Sequence, residues 1–130
     1  MTHTPDHAAV WFELPVRDMS KAIAFYNAVF DAGLALDTSG PNPMAVFTIK
    51  GGPMSGGVSG HLYPGTPATS GAGPTVHLIV PDRLEDACDR LTGAGGEVIG
   101  PVIEMPWGRF AYATDPDGNS IGLFQPKLAA

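Results

Sequence analysis

A carboxylate at residue 13 and an imidazole at residue 77 are the side chains of this sequence best suited to moving a proton. Glu13 sits inside the apolar run WFELPV, where an unpaired carboxylate is costly to bury. It therefore serves as a general acid or base, anchors a ligand, or pairs structurally with Arg109, His77 or backbone. His77 lies in the apolar run VHLIV, where it would either exchange a proton with Glu13 or make a structural hydrogen bond. Trp11 and Trp107 could stack on a flat ligand, although core packing and loop packing serve them equally well. Arg109 could hold a carboxylate or phosphate in its planar fork, or sit in a solvated salt bridge. Ser120 and Phe124 complete the candidate set for ligand binding.

These residues need strands to position them. Strand side chains alternate between two faces. In the first strand, Phe12, Leu14 and Val16 should pack on a helix, leaving Trp11, Glu13 and Pro15 on the open face. In the strand from Thr75 to Val80, Leu78 and Val80 pack inward and His77 and Ile79 face the cavity. A four-residue loop at DPDG would pair Ala113 with Ser120, Ala111 with Gly122 and Arg109 with Phe124. That register sends Arg109, Ser120 and Phe124 to the cavity and Phe110, Tyr112, Ile121 and Leu123 to the core. A slip of one residue reverses it.

The chain repeats itself. Met19, Ala22, Ile23, Tyr26 and Val29 follow helical spacing, and so do Leu84, Ala87, Cys88, Leu91 and Ala94, shifted by 65 positions in the 130-residue chain. Asp18 is the expected N-cap of the first helix and Gly33 its stop. Asp82 with Glu85 forms an expected capping box for the second, which ends at Gly95-Gly96. Short strands follow each helix: Met44–Lys50 and a weaker Gly-rich Met54–Gly60, then Val98–Ile103, Phe110–Thr114 and Asn119–Phe124. The expected fold is α+β, two βαβββ modules around a half-barrel cavity. Residues 1–7 form a flexible tail, 8–60 and 75–126 the modules, 61–74 a linker and 127–130 a tail. His3 and His7 fall in the first tail and His61 in the linker, away from any rigid site.

Composition narrows the function. Hydrophobic residues are 44% and charged residues 15%, ordinary for a globular domain. The net charge is −6 with seven Lys and Arg and no basic cluster, which argues against nucleic acid. No apolar stretch approaches the ~20 residues that span a bilayer, and the N-terminus is polar, so a cytoplasmic location and no membrane partner are expected. The single Cys88 cannot form an intrachain disulfide and reads as a small buried hydrophobe. GGPMSGGVSG lacks the GK[ST] and the following helix of a phosphate loop.

The opening WFELPVRDMSKAIAFYNAVF and the closing DPDGNSIGLFQP resemble the vicinal oxygen chelate superfamily of glyoxalases, bleomycin-resistance proteins and extradiol dioxygenases. The resemblance covers residues 8–126 and implies a cavity between two modules and assembly as a homodimer. Metal-dependent members place ligands at four strand positions. Here these fall on Trp11, on His77 or Val76, on Gly57 and on Gly122. Glycine has no ligating side chain and indole does not ligate a hard or borderline cation, so at most one of four ligands is present. The expected protein is a small-molecule binder with no metal. The alternatives are an enzyme, using Glu13 and His77 without metal or holding a divalent metal in a different ligand set, and a structural or regulatory domain with a vestigial cavity.

Overall fold

A computed structural model of the chain describes residues 3–53 and 55–127. The order of elements is β1 (Trp11–Val16), α1 (Met19–Phe30), β2 (Ala45–Val46), β3 (Ser59–Pro64), β4 (Val76–Ile79), α2 (Leu84–Gly93), β5 (Glu97–Val98), β6 (Ile103–Met105), β7 (Gly108–Thr114) and β8 (Ser120–Pro126). They form two open sheets, ordered β1-β3-β2 and β4-β8-β7-β5, with β6 also on β7. Neither sheet closes into a barrel. Each module opens with a strand that pairs in parallel with its last strand, β1 with β3 and β4 with β8. The duplication read from the helices is thus present in the sheets. The first module has a residual extra pairing, the bridge Asp37↔Met44, and in the second β5 and β6 line up along β7 as one interrupted strand.

Both helices lie over the inner sheet faces. Asp18 caps α1 by accepting from the Lys21 amide at 3.0 Å, as the sequence predicts. The stop differs: Asp31, not Gly33, is the left-handed cap, with φ 53. Tyr26, Val29, Leu84 and Leu91 are fully buried, with Ala22, Phe25 and Ala87 beside them; Met19, Ile23 and Cys88 are half-buried. Burial raises the Cys88 thiol pKa, so it packs rather than reacts.

The capping box of α2 does not form. Arg83 is the N-cap residue and makes no side-chain cap. The Leu84 amide is satisfied instead by Gln125 Oε1 at 2.9 Å. Asp82 is recruited elsewhere, gripping Arg90 through two hydrogen bonds of 2.8 and 2.9 Å. Arg90 in turn donates to the Val29 carbonyl at 2.9 Å, tying α2 to the end of α1.

The glycine-rich segment also departs from expectation. The strand of the first module lies at Ser59–Pro64, so His61–Pro64 is strand rather than linker. Gly51, Gly52 and Gly56 adopt positive φ and spend that stretch in turns. Met54, in the expected strand Met54–Gly60, lies outside the described residues, as do residues 1, 2 and 128–130 of the expected tails. Pairing begins at Ser59 opposite Trp11, and the next residue, Gly60, admits the Phe12 ring where a Cβ would collide with it.

The modules are joined by a buried polar knot. Tyr26 donates its hydroxyl to Asp115 Oδ2 at 2.6 Å, and Asn119 donates to the Pro15 carbonyl at 2.8 Å. Burial first, and Asp115 second, raise the Tyr26 pKa well above the usual phenol value, so the hydroxyl stays a donor. Tyr26→Phe removes one bond to a buried carboxylate. It should lower unfolding free energy by about 1–3 kcal/mol, measured by urea denaturation; an unchanged midpoint contradicts the role given to the knot.

Candidate functional site

The closing hairpin decides which residues reach the open face. Its loop is five residues long, Asp115 to Asn119, because the Asp115 side chain accepts from the amides of Asp117 and Asn119 at 2.9 and 2.8 Å. Thr114 therefore pairs with Ser120, Tyr112 with Gly122, Phe110 with Phe124 and Arg109 with Gln125. This is one residue away from the register expected for a four-residue loop. Ile121 and Leu123 remain in the core, joined by Ala111 and Ala113. Phe110 and Tyr112 move to the opposite face, with His77 and Phe124.

There the rings form a patch. His77 stands edge-on to Phe110 at 5.1 Å and tilted on Tyr112 at 5.7 Å, while Phe110 stacks with Phe124 at 6.5 Å. The imidazole lies directly over Gly122: an added Cβ would meet His77 Nδ1 at 2.1 Å. Partial burial lowers the His77 pKa and so favours the neutral ring. Among the described residues no protein group hydrogen-bonds to it.

His77 borders a cleft of about 740 Å³ between the modules. Trp11, Phe12 and Phe47 line one wall, and Val76, His77 and Ile79 line the other. No lysine or arginine is among the lining residues, and Asp31 is the one carboxylate. The cleft is apolar with a neutral imidazole edge, suited to a flat uncharged molecule.

Other candidates lie elsewhere. Arg109 is turned to the helix side, donating to Glu85 at 3.1 and 2.6 Å with Glu104 at 3.3 Å. Its two terminal nitrogens are taken by Glu85, and it does not line the cleft. Ser120 shares a hydrogen bond with Thr75, 2.5 Å between hydroxyls. Trp107 sits in the β6–β7 turn, 61% exposed.

Glu13 is not brought to His77. The two lie in different sheets, and the imidazole beside Glu13 is His61. His61 Nε2 is 3.2 Å from Glu13 Oε1, and Trp11 Nε1 donates to His61 Nδ1 at 2.8 Å. Glu13 and His61 line a second cavity of about 610 Å³ with Asp37, Tyr63 and the turn at residues 39–44. His61 escaped the sequence reading because its segment reads as Gly-, Pro- and Ser-rich linker. The signal present was alternation: His61 and Tyr63 flank the apolar Leu62. Strand pairing makes Glu13↔His61 the counterpart of His77↔Gly122. The first module's equivalent of Gly122 is thus His61, and Gly57 lies before the strand.

The sequence matches the Glyoxalase/Bleomycin resistance protein/Dioxygenase superfamily over residues 4–123. The chain belongs to this superfamily. It is 31% identical to TnmS3 of Streptomyces sp. CB03234, an antibiotic binding protein, covering 95% of this chain and 100% of that one with a TM-score of 0.59. The fold also resembles the fosfomycin resistance protein FosX of Listeria monocytogenes: TM-score 0.66, 18% identity, 98% of this chain and 96% of that one. A further match is the Mycobacterium tuberculosis protein named "Putative glyoxylase CFP32", 27% identical over 118 residues. This is 88% of the present chain but 44% of that protein, so the chain spans less than half the length of the curated relatives it matches.

The superfamily implies a divalent metal, and these residues do not fit one. Trp11 offers only an N–H donor, His61 has a partner on each nitrogen, and Gly122 is covered by the His77 ring. Among the described residues no three His, Cys, Asp or Glu side chains gather into a ligand group. No helix among them is long and apolar enough to cross a membrane.

The two glycines singled out in the sequence should respond differently to alanine. Gly122→Ala must displace His77 and should cost about 1–3 kcal/mol of stability. Gly57→Ala meets only the tip of Ile49 at 3.1 Å and should stay within about 0.5 kcal/mol. Paired denaturation curves check this; equal losses contradict the placement of His77 over Gly122.

Proposed function

We propose that the protein binds a small, flat, uncharged organic molecule in the cleft between its modules and needs no metal to do so. The observation that carries this reading is His77, without a hydrogen-bond partner among the described residues, at the edge of an apolar cleft. Aromatic walls supply affinity, and the imidazole orients the ligand through one hydrogen bond. The absence of lysine or arginine from the lining argues against phosphonates and carboxylates as ligands. The likeness to an antibiotic binding protein favours sequestration over turnover. An acid–base enzyme using Glu13 is the second reading; its proton partner would be His61 rather than His77.

A homodimer fits the same reading. Among the described residues the outer edges of β1 and β4 carry no partner strand, and exposed edges invite pairing. Trp11 and Ile79 stand exposed on those two strands. Static light scattering should give twice the chain mass of 13.5 kDa; a monomer at micromolar concentration contradicts the dimer.

Binding is tested with N-phenyl-1-naphthylamine, a neutral dye that brightens in apolar surroundings. Affinity should be the same before and after exhaustive chelation and should fall about tenfold or more in His77→Ala, a ring contact and a hydrogen bond being lost together. Loss of binding on chelation, restored by a divalent metal, overturns the metal-independent reading.

A further inference from the structure

We infer that His61 is a positioning residue for the Trp11 indole and makes that wall of the cleft responsive to protonation. The inference rests on the proposed cleft as the binding site, and its geometry lies outside that cleft. Trp11 lines the cleft, and its N–H donates to His61 on β3, which lines the second cavity. Indole nitrogen only donates, so His61 Nδ1 must accept. Neutral His61 then carries its proton on Nε2, 3.2 Å from Glu13 Oε1. The indole sets the tautomer.

A second proton can enter the ring only at Nδ1. Imidazolium has no acceptor, so protonation breaks the indole bond while it strengthens the contact to Glu13. The other groups around His61 allow this exchange. Tyr63 on β3 meets it ring to ring at 6.1 Å, and Asp37, in the hairpin before β2, lines the same cavity. Asp37 is engaged by Ser39, whose hydroxyl and amide hold its pKa low. No lysine or arginine lines that cavity to oppose a charge on His61. The His61 side chain is only 13% exposed, whereas Glu13 is 63% exposed. The indole, once released, loses its one polar tether and is free to rotate at the cleft wall.

Nothing of this depends on Glu13 meeting His77. It also gives His61, which the proposed binding reading does not use, a defined task. The consequence is pH-linked affinity: ligand held against a fixed indole when His61 is neutral, and held less well when it is charged.

The test has two arms on the full chain. The first uses no ligand. Long-range proton–nitrogen NMR of His61 should show the proton on Nε2 in the neutral ring, and the Trp11 indole proton should shift with the same midpoint as His61. A neutral ring protonated on Nδ1, or an indole proton that ignores the His61 titration, overturns the inference. The second arm follows N-phenyl-1-naphthylamine affinity against pH. In the wild type it should fall about fivefold as His61 charges, the worth of one neutral hydrogen bond. His61→Gln keeps an acceptor for the indole, so it should bind like neutral wild type and lose the part of the pH profile that tracks the His61 midpoint, leaving that of His77. A wild-type-like pH profile in His61→Gln overturns the inference. A dye that fails to bind wild type at every pH defeats the cleft reading, and the first arm alone then decides the role of His61.

Discussion

Asp115 holds the molecule's geometry together. It is buried at 3% exposure and accepts from the Tyr26 hydroxyl, the amides of Asp117 and Asn119, and the Asn119 side chain. A carboxylate removed from water is tolerable only when its lone pairs are filled this completely. The same residue sets two things at once. Within the second module it lengthens the hairpin loop to five residues and so selects the β7–β8 register. Between modules it fixes α1, through Tyr26, against the hairpin that carries β8, while Asn119 holds the end of β1. Arg17 adds a solvent-side contact to Asp117 at 3.4 Å. The spacing of β1 and β4, and hence the cleft, follows from this knot.

The parts of the fold carried by local periodicity were legible in the sequence. The helical stripes, the Asp18 cap and the face of β1 that carries Leu14 and Val16 all appear where spacing puts them. What was not legible depended on groups distant in the chain. Asp82 and Glu85 have the spacing of a capping box, but Arg90 and Arg109 compete for those carboxylates and win with paired charge-assisted bonds. The hairpin register turned on one side chain, because period-two alternation reverses every face when the loop grows by a residue. Of the candidate site, Trp11 and His77 reach the cleft and Phe124 reaches the patch behind it. Arg109 does not, for the register reason. His61 was hidden because its strand, SGHLYP, opens with Ser and Gly and closes with Pro, whose local preference is for turns, and is stabilised by parallel pairing to β1 instead.

The site shows how one framework can change its chemistry without changing its shape. The superfamily cavity survives, yet the places that would ligate a metal carry an indole, an imidazole with both nitrogens engaged, and a glycine. At Gly122 the missing side chain leaves space that His77 fills with a flat neutral ring. On the proposed reading, an aromatic surface with one orienting group stands where a charged reaction centre would be, an arrangement for holding a molecule.

The measurement that bears most directly on this account is a crystal structure of metal-stripped protein grown with N-phenyl-1-naphthylamine, with data collected for anomalous scattering. The account predicts dye density in the cleft between Trp11 and His77 and no anomalous peak beside it. Dye bound only elsewhere, or a metal peak coordinated by Glu13 and His61 after chelation, contradicts it.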